Sequence, residues 1–158
     1  MVHGKGSSRN VTGGFVRMET ATIKGKAAKA MIGFIRSKGP ARIRIISGSM
    51  YPTARAGNFV VVRPVTTVPK PGDLLLCYSS GLFYMHRLIA RRQDRWYLMG
   101  DNARKLDAPI ARPAIIGSVI TLEDAYGKRY ADRMRMYYLC RGWMFALIDK
   151  LGKAVSGR

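Results

Sequence analysis

A mainly β domain with a helix at each end is the fold class this sequence predicts. Between residues 41 and 122, short apolar runs rich in Val, Ile, Leu, Phe and Tyr are split by Gly, Pro, Asn and Ser clusters. That is the texture of antiparallel strands joined by tight turns. Two flanking segments instead carry apolar residues at helical spacing. The third observation is length: 158 residues suit one domain with a substantial core.

Residues 1–18 are rich in Gly, Ser, Lys and Arg and are expected to form a disordered basic tail. Residues 19–39 hold the first amphipathic helix, over 20–37. Ile23, Ala27, Ala30, Met31, Phe34 and Ile35 share one side, with Lys26, Lys29 and Arg36 opposite, and Gly39-Pro40 stops it. The β-rich unit runs over 40–125. Its strands are read at Ile43–Ile46, Phe59–Val62, Leu74–Tyr78, Leu82–Ile89, Trp96–Met99 and Ile115–Leu122. Ser79-Ser80-Gly81 should fold the third of these onto the fourth as an antiparallel hairpin, with His86 on the return strand. Residues 126–158 carry a second basic amphipathic helix, over 134–151. Met136, Cys140, Trp143, Met144, Leu147 and Leu151 gather on one arc, with Arg135, Arg141, Lys150 and Lys153 on the other. Such a helix either lies on a lipid surface or packs on the β unit.

Lys and Arg number 28 against 9 Asp and Glu, a net charge of +19. The excess points to anionic surroundings or partners, an anionic membrane surface among them. Nucleic acid is disfavoured, because neither an aromatic-basic RNA-binding signature nor a helix-turn-helix pattern is present. No run approaches the ~18 apolar residues that span a bilayer, and no signal-peptide core opens the chain, so either peripheral membrane association or a cytoplasmic place is expected. Cys77 and Cys140 make no disulfide framework, and Cys77 reads as a small buried hydrophobe. With His3 in the tail and one other histidine, no metal site is expected and no cofactor is implied.

Three blocks carry chemistry. Ser47-Gly48-Ser49-Met50-Tyr51-Pro52-Thr53 sets a serine hydroxyl on a tight turn. Tyr84-Met85-His86-Arg87 supplies an imidazole. Gly100-Asp101-Asn102, with Asp107 further on, supplies carboxylates. Nucleophile, base and orienting acid are the three roles of acyl-transfer catalysis. Each block alone has a plainer reading: Ser-Gly-Ser and Gly-Asp-Asn are ordinary turns, and a histidine in an apolar stretch is more often core.

Together, and in this order, with Lys70-Pro71-Gly72-Asp73 opening a strand and Ile116-Gly117-Ser118-Val119 near the end, the blocks resemble type I signal peptidases of the archaeal and endoplasmic-reticulum kind. The wider superfamily includes the bacterial Ser-Lys signal peptidases and the self-cleaving repressor peptidases. The resemblance covers residues 43–122 and implies that superfamily's fold. It implies a serine endopeptidase with Ser49 as nucleophile and His86 as base, where the bacterial and repressor branches carry Lys. Asp107 would orient the imidazole, Asp101 would have a supporting or structural part, and the Ser49 N–H with the Ser47 hydroxyl would form the oxyanion hole. Ile45, Met50, Phe83 and Met85 would line a shallow apolar cleft for the small residues that precede the cut, although plain core is an equal reading for them.

The departures from that family are the missing spanning helix, the bulky basic insertion Arg104-Lys105-Leu106, and Asn58 where related sequences often carry Asp. The expected substrate is a preprotein or leader peptide. A dedicated maturation peptidase for one partner is the nearest rival. A self-cleaving repressor is disfavoured by His86 and by the short leading segment. A non-catalytic basic protein binding membrane or nucleic acid is the rival from another class.

Overall fold

The structure, a computed structural model, describes residues 25–156, with side chains described as far as residue 150. The tail at 1–18 and the expected helical turn at 20–24 lie outside the described residues. Eight antiparallel strands form one sheet, with a helix near each end. In chain order they are α1 (Gly25–Lys38), β1 (Ala41–Arg44), β2 (Phe59–Pro64), β3 (Leu74–Ser79), β4 (Leu82–Arg92), β5 (Arg95–Met99), β6 (Ile110–Ala111), β7 (Ile115–Glu123), β8 (Arg129–Tyr130) and α2 (Arg135–Ser156). The spatial order is β1-β2-β7-β3-β4-β5-β6, and β8 adds to β7, so the sheet extends past residue 125.

β3 is central, and its residues Leu74 to Cys77 are all buried. An all-apolar strand needs cover on both faces. Leu74 and Leu76 pack with Met31 and Ile35 of α1 and with β1 and β2, while Leu75 and Cys77 pack with Trp96, Leu98, Ile110 and Ile115. Each fully buried Leu contributes about 2 kcal/mol of transfer free energy. The β3–β4 hairpin forms as the sequence predicts. Ser80 and Gly81 both have positive φ, 53° and 80°, the pattern of a type I′ turn. The register then pairs Leu75 with His86 and Leu74 with Arg87.

Both helices pack on the sheet, but on faces rotated from those the sequence suggests. α1 buries Ala28, Met31 and Ile35, whereas Ala27 and Ala30 face solvent. α2 buries Tyr138, Leu139 and Gly142. Gly142 lies so close to the Ile89 side chain that a Cβ there would collide with it, and Trp143 Nε1 donates to the Ile89 carbonyl at 2.9 Å. The apolar arc read from the sequence is left outside: Met136, Trp143, Met144 and Leu147 are 63, 49, 51 and 58% exposed. Two of the basic residues assigned to the opposite arc instead bond to the β unit. Arg135 pairs with Asp73 at 2.6 Å, and Arg141 donates to the carbonyls of Asp101 and Ala103. Leu151 and Lys153 of that reading have side chains outside the described ones.

Candidate active site

The serine loop leaves β1 and returns to β2. Its neck is closed by Ile45 N–H to Asn58 O and Gly57 N–H to Ile45 O, each 2.8 Å. Inside it, Tyr51 N–H bonds Gly48 O at 3.0 Å, and Met50, 1% exposed, anchors the turn in the core. Asn58 serves the loop, its Oδ1 accepting from Arg55 N–H at 2.9 Å. Ser49 therefore sits half-buried on a tethered turn.

A second segment fastens that turn from below. Asn102 donates its N–H to Ser49 O at 2.9 Å and its Nδ2 to Gly48 O at 3.3 Å. Gly100 explains the close approach. A Cβ there would lie 2.7 Å from Ser49 O and 3.1 Å from His86 Nε2, so any side chain would meet both. Ser49 and the far nitrogen of His86 thus flank one point.

His86 projects from β4, and its Nδ1 lies 2.5 Å from Asp107 Oδ2. Asp107 is set by its own N–H, which donates to Leu98 O at 2.9 Å. Tyr84, two residues earlier on the same strand face, packs edge-on against the imidazole at 5.1 Å between centroids. Burial, then the charges of Cys77 and Asp107, push the Tyr84 hydroxyl well above the ordinary tyrosine range. Burial, with Asp107 adding, pushes the Cys77 thiol up to about 12. Both residues are therefore neutral near neutral pH.

Asp101 lies elsewhere. It is 2% exposed and is held by Arg87, Nε to Oδ1 at 2.8 Å and Nη2 to Oδ2 at 2.6 Å, with Thr53 Oγ1 donating to Oδ2 at 2.5 Å. Arg87, itself fully buried, also reaches Asp132 at 2.7 Å and the Gly72 carbonyl at 2.9 Å. Burial opposes its charge, but the hydrogen bonds and charges of Asp101 and Asp132 win and raise its pKa above the ordinary value. Asp101 is thus a structural anion that ties β4, the serine loop and the Gly-Asp-Asn turn together.

The remaining residues converge on one small cleft of about 110 Å³. Ile45, Met50, Phe83 and Met85 line it with Ser47 and Ser49, and Arg44 stands among them. Ser47 Oγ is 3.3 Å from Ser49 Oγ. Among the described residues Ser49 Oγ bonds Ser47 and not the imidazole, and the Ser49 N–H donates to none. Sequence reasoning missed Gly100, Asn102, Tyr84, Thr53 and Arg87 as site-building residues. Only the motif blocks that contain them could have pointed to them. A scan of the chain against protein-family models finds no match, and a search of curated proteins finds none either.

Proposed function

We propose that this protein is a serine endopeptidase that cuts a preprotein or leader peptide after small residues. The observation that carries the reading is the 2.5 Å pairing of His86 Nδ1 with Asp107, which leaves Nε2 turned toward the Ser49 turn across Gly100. With Nδ1–H donated to the carboxylate, Nε2 is the basic nitrogen. Catalytic hydrogen bonds are commonly loose without substrate, so Ser49 Oγ would swing from Ser47 to Nε2 as the peptide enters. The oxygen then attacks the scissile carbonyl while its proton passes to Nε2. The unspent Ser49 N–H and the Ser47 hydroxyl receive the oxyanion. Collapse releases the amine, which takes the proton back from Nε2, and water hydrolyses the acyl-serine by the same path. A cleft of about 110 Å³ suits small side chains before the cut. The test is hydrolysis of a peptide with an Ala-x-Ala segment: Ser49→Ala should abolish it and keep the fold.

A second reading concerns α2. Its outward stripe of Met136, Trp143, Met144, Leu147 and Ile148 is 49 to 63% exposed, and contiguous apolar surface of this kind marks an interaction site. We infer that the stripe rests on an anionic membrane surface, with Lys150 and the basic β4–β5 hairpin beside it. No helix among the described residues is long and apolar enough to cross a membrane.

A further inference from the structure

Arg44 stands in the cleft without an acidic partner. It is half-buried at the end of β1 and lines the same cavity as Ser47 and Ser49. Two residues earlier, on the same strand face, Arg42 is paired with Glu123 at 2.7 Å and stacks on Phe59. Among the described residues the Arg44 side chain has no ion pair or hydrogen bond; only its backbone pairs, with Phe59 in β2. The segment that runs from Asn102, which bonds the Ser49 carbonyl, to Asp107 carries Arg104 and Lys105, both exposed and, among the described residues, unpaired. The two acids in this neighbourhood are already committed, Asp101 to Arg87 and Asp107 to His86.

A half-buried arginine with no counter-charge among the described residues gains when something supplies one. Arg44 lines the space a substrate would fill. We propose that the substrate is an acidic peptide, with one carboxylate placed to meet Arg44 in the cleft and others beyond the cut to meet Arg104 and Lys105. This rests on the peptidase reading, which it narrows. General export signals begin with a basic segment, which a chain of net charge +19 would repel. An acidic leader would be drawn in and held in register. A dedicated maturation role fits that chemistry better than bulk secretory processing.

The experiment uses the full-length protein and a set of labelled peptides sharing one Ala-x-Ala core. A single Glu or Lys is moved along each side of the core, out to ten residues away. Cleavage is measured with the wild type, and binding by fluorescence anisotropy with Ser49→Ala, which needs no turnover. Glu near the core should raise kcat/KM and affinity about five- to tenfold over a neutral residue, and the gain should shrink as salt is added. Arg44→Glu should reverse the preference on one side of the cut, and Arg104→Glu with Lys105→Glu on the other, while all variants melt like the wild type. If peptides are cut with no preference for Glu, the acidic-substrate inference is wrong and the peptidase reading survives. If Glu helps equally at every position, only the overall field acts and the inference also fails. Position-dependent binding of Glu peptides that the wild type never cuts would keep the inference and sink the peptidase reading. Neither binding nor cleavage overturns both.

Discussion

Arg87 grips Asp101 with two parallel hydrogen bonds, 2.8 and 2.6 Å, in a site where both side chains are almost wholly buried. Such forks are strong and geometrically specific, and losing Asp101 would leave the fully buried Arg87 with Asp132 as its one anion among the described residues. The neighbouring imidazole takes no part in the grip. Its carboxylate is Asp107, 26% exposed.

The two aspartates should therefore fail differently. Asp101→Ala is expected to cost about 3–5 kcal/mol of stability, seen as a large drop in melting temperature. Asp107→Ala should melt near the wild type and lose activity by about 10³-fold or more, since a triad carboxylate acts on the imidazole and not on the fold. Thermal melts paired with peptide hydrolysis decide it. Equal melting losses for the two variants would contradict the division of labour.

Gly100→Ala should inactivate with little unfolding. The new methyl would fall 2.7 Å from the Ser49 carbonyl oxygen and 3.1 Å from Nε2, and the backbone oxygen cannot step aside cheaply. Serine loop and imidazole must part. Activity within twofold of the wild type would show that the close approach is not needed.

Activity should rise from acid toward neutral pH along one ionisation, because the base must be the neutral imidazole. Asp107→Asn should depress the rate by about 10⁴-fold, because an amide cannot hold the imidazole in the tautomer that leaves Nε2 basic. kcat/KM measured for both proteins is the check. A rate within twofold of the wild type would detach Asp107 from the base.

The cysteines give a probe that needs no substrate. Cys140 is exposed, whereas Cys77 is buried with its thiol pushed up to about 12. Thiolate is the reactive form, and a raised pKa makes it scarce at every pH well below that value. One thiol per chain should be alkylated at pH 8, and two only after unfolding. Rapid labelling of Cys77 in the native protein would mean that β3 is not sealed.

The outer stripe of α2 should bind vesicles containing acidic lipid at low salt and release them at high salt. Leu147→Glu with Ile148→Glu should abolish co-sedimentation without changing the melt, because both residues are more than half exposed. Wild-type protein left in the supernatant would end the membrane reading.

The hairpin that carries His86 and the central buried strand were legible, because each is written in neighbouring residues. A turn signal between two apolar runs suffices for the hairpin. Arg87 was not legible as a core residue: its anions stand 14 and 45 positions away, and nothing local marks it as buried. For the same reason Asp101 and Asp107 could be told apart only by position in a motif. β6 and β8, two residues each, exist only through their partners. α2 displayed its amphipathic pattern openly, yet the apolar arc turned out to face away from the sheet. Gly142 and Arg141, which bonds to the β unit, decide which side docks, and hydropathy ranks neither as a packing residue.

In β4, His86 and Arg87 are neighbours on opposite faces of one strand, so the reading frame of the hairpin decides which of them meets Ser49. A slip of one position would carry the guanidinium into the cleft and the imidazole among Asp101, Asp132 and Thr53. Two positive-φ residues, Ser80 and Gly81, six residues or fewer from the imidazole, hold that frame. The parity of that turn thereby determines whether the strand presents the serine loop with an imidazole or a guanidinium.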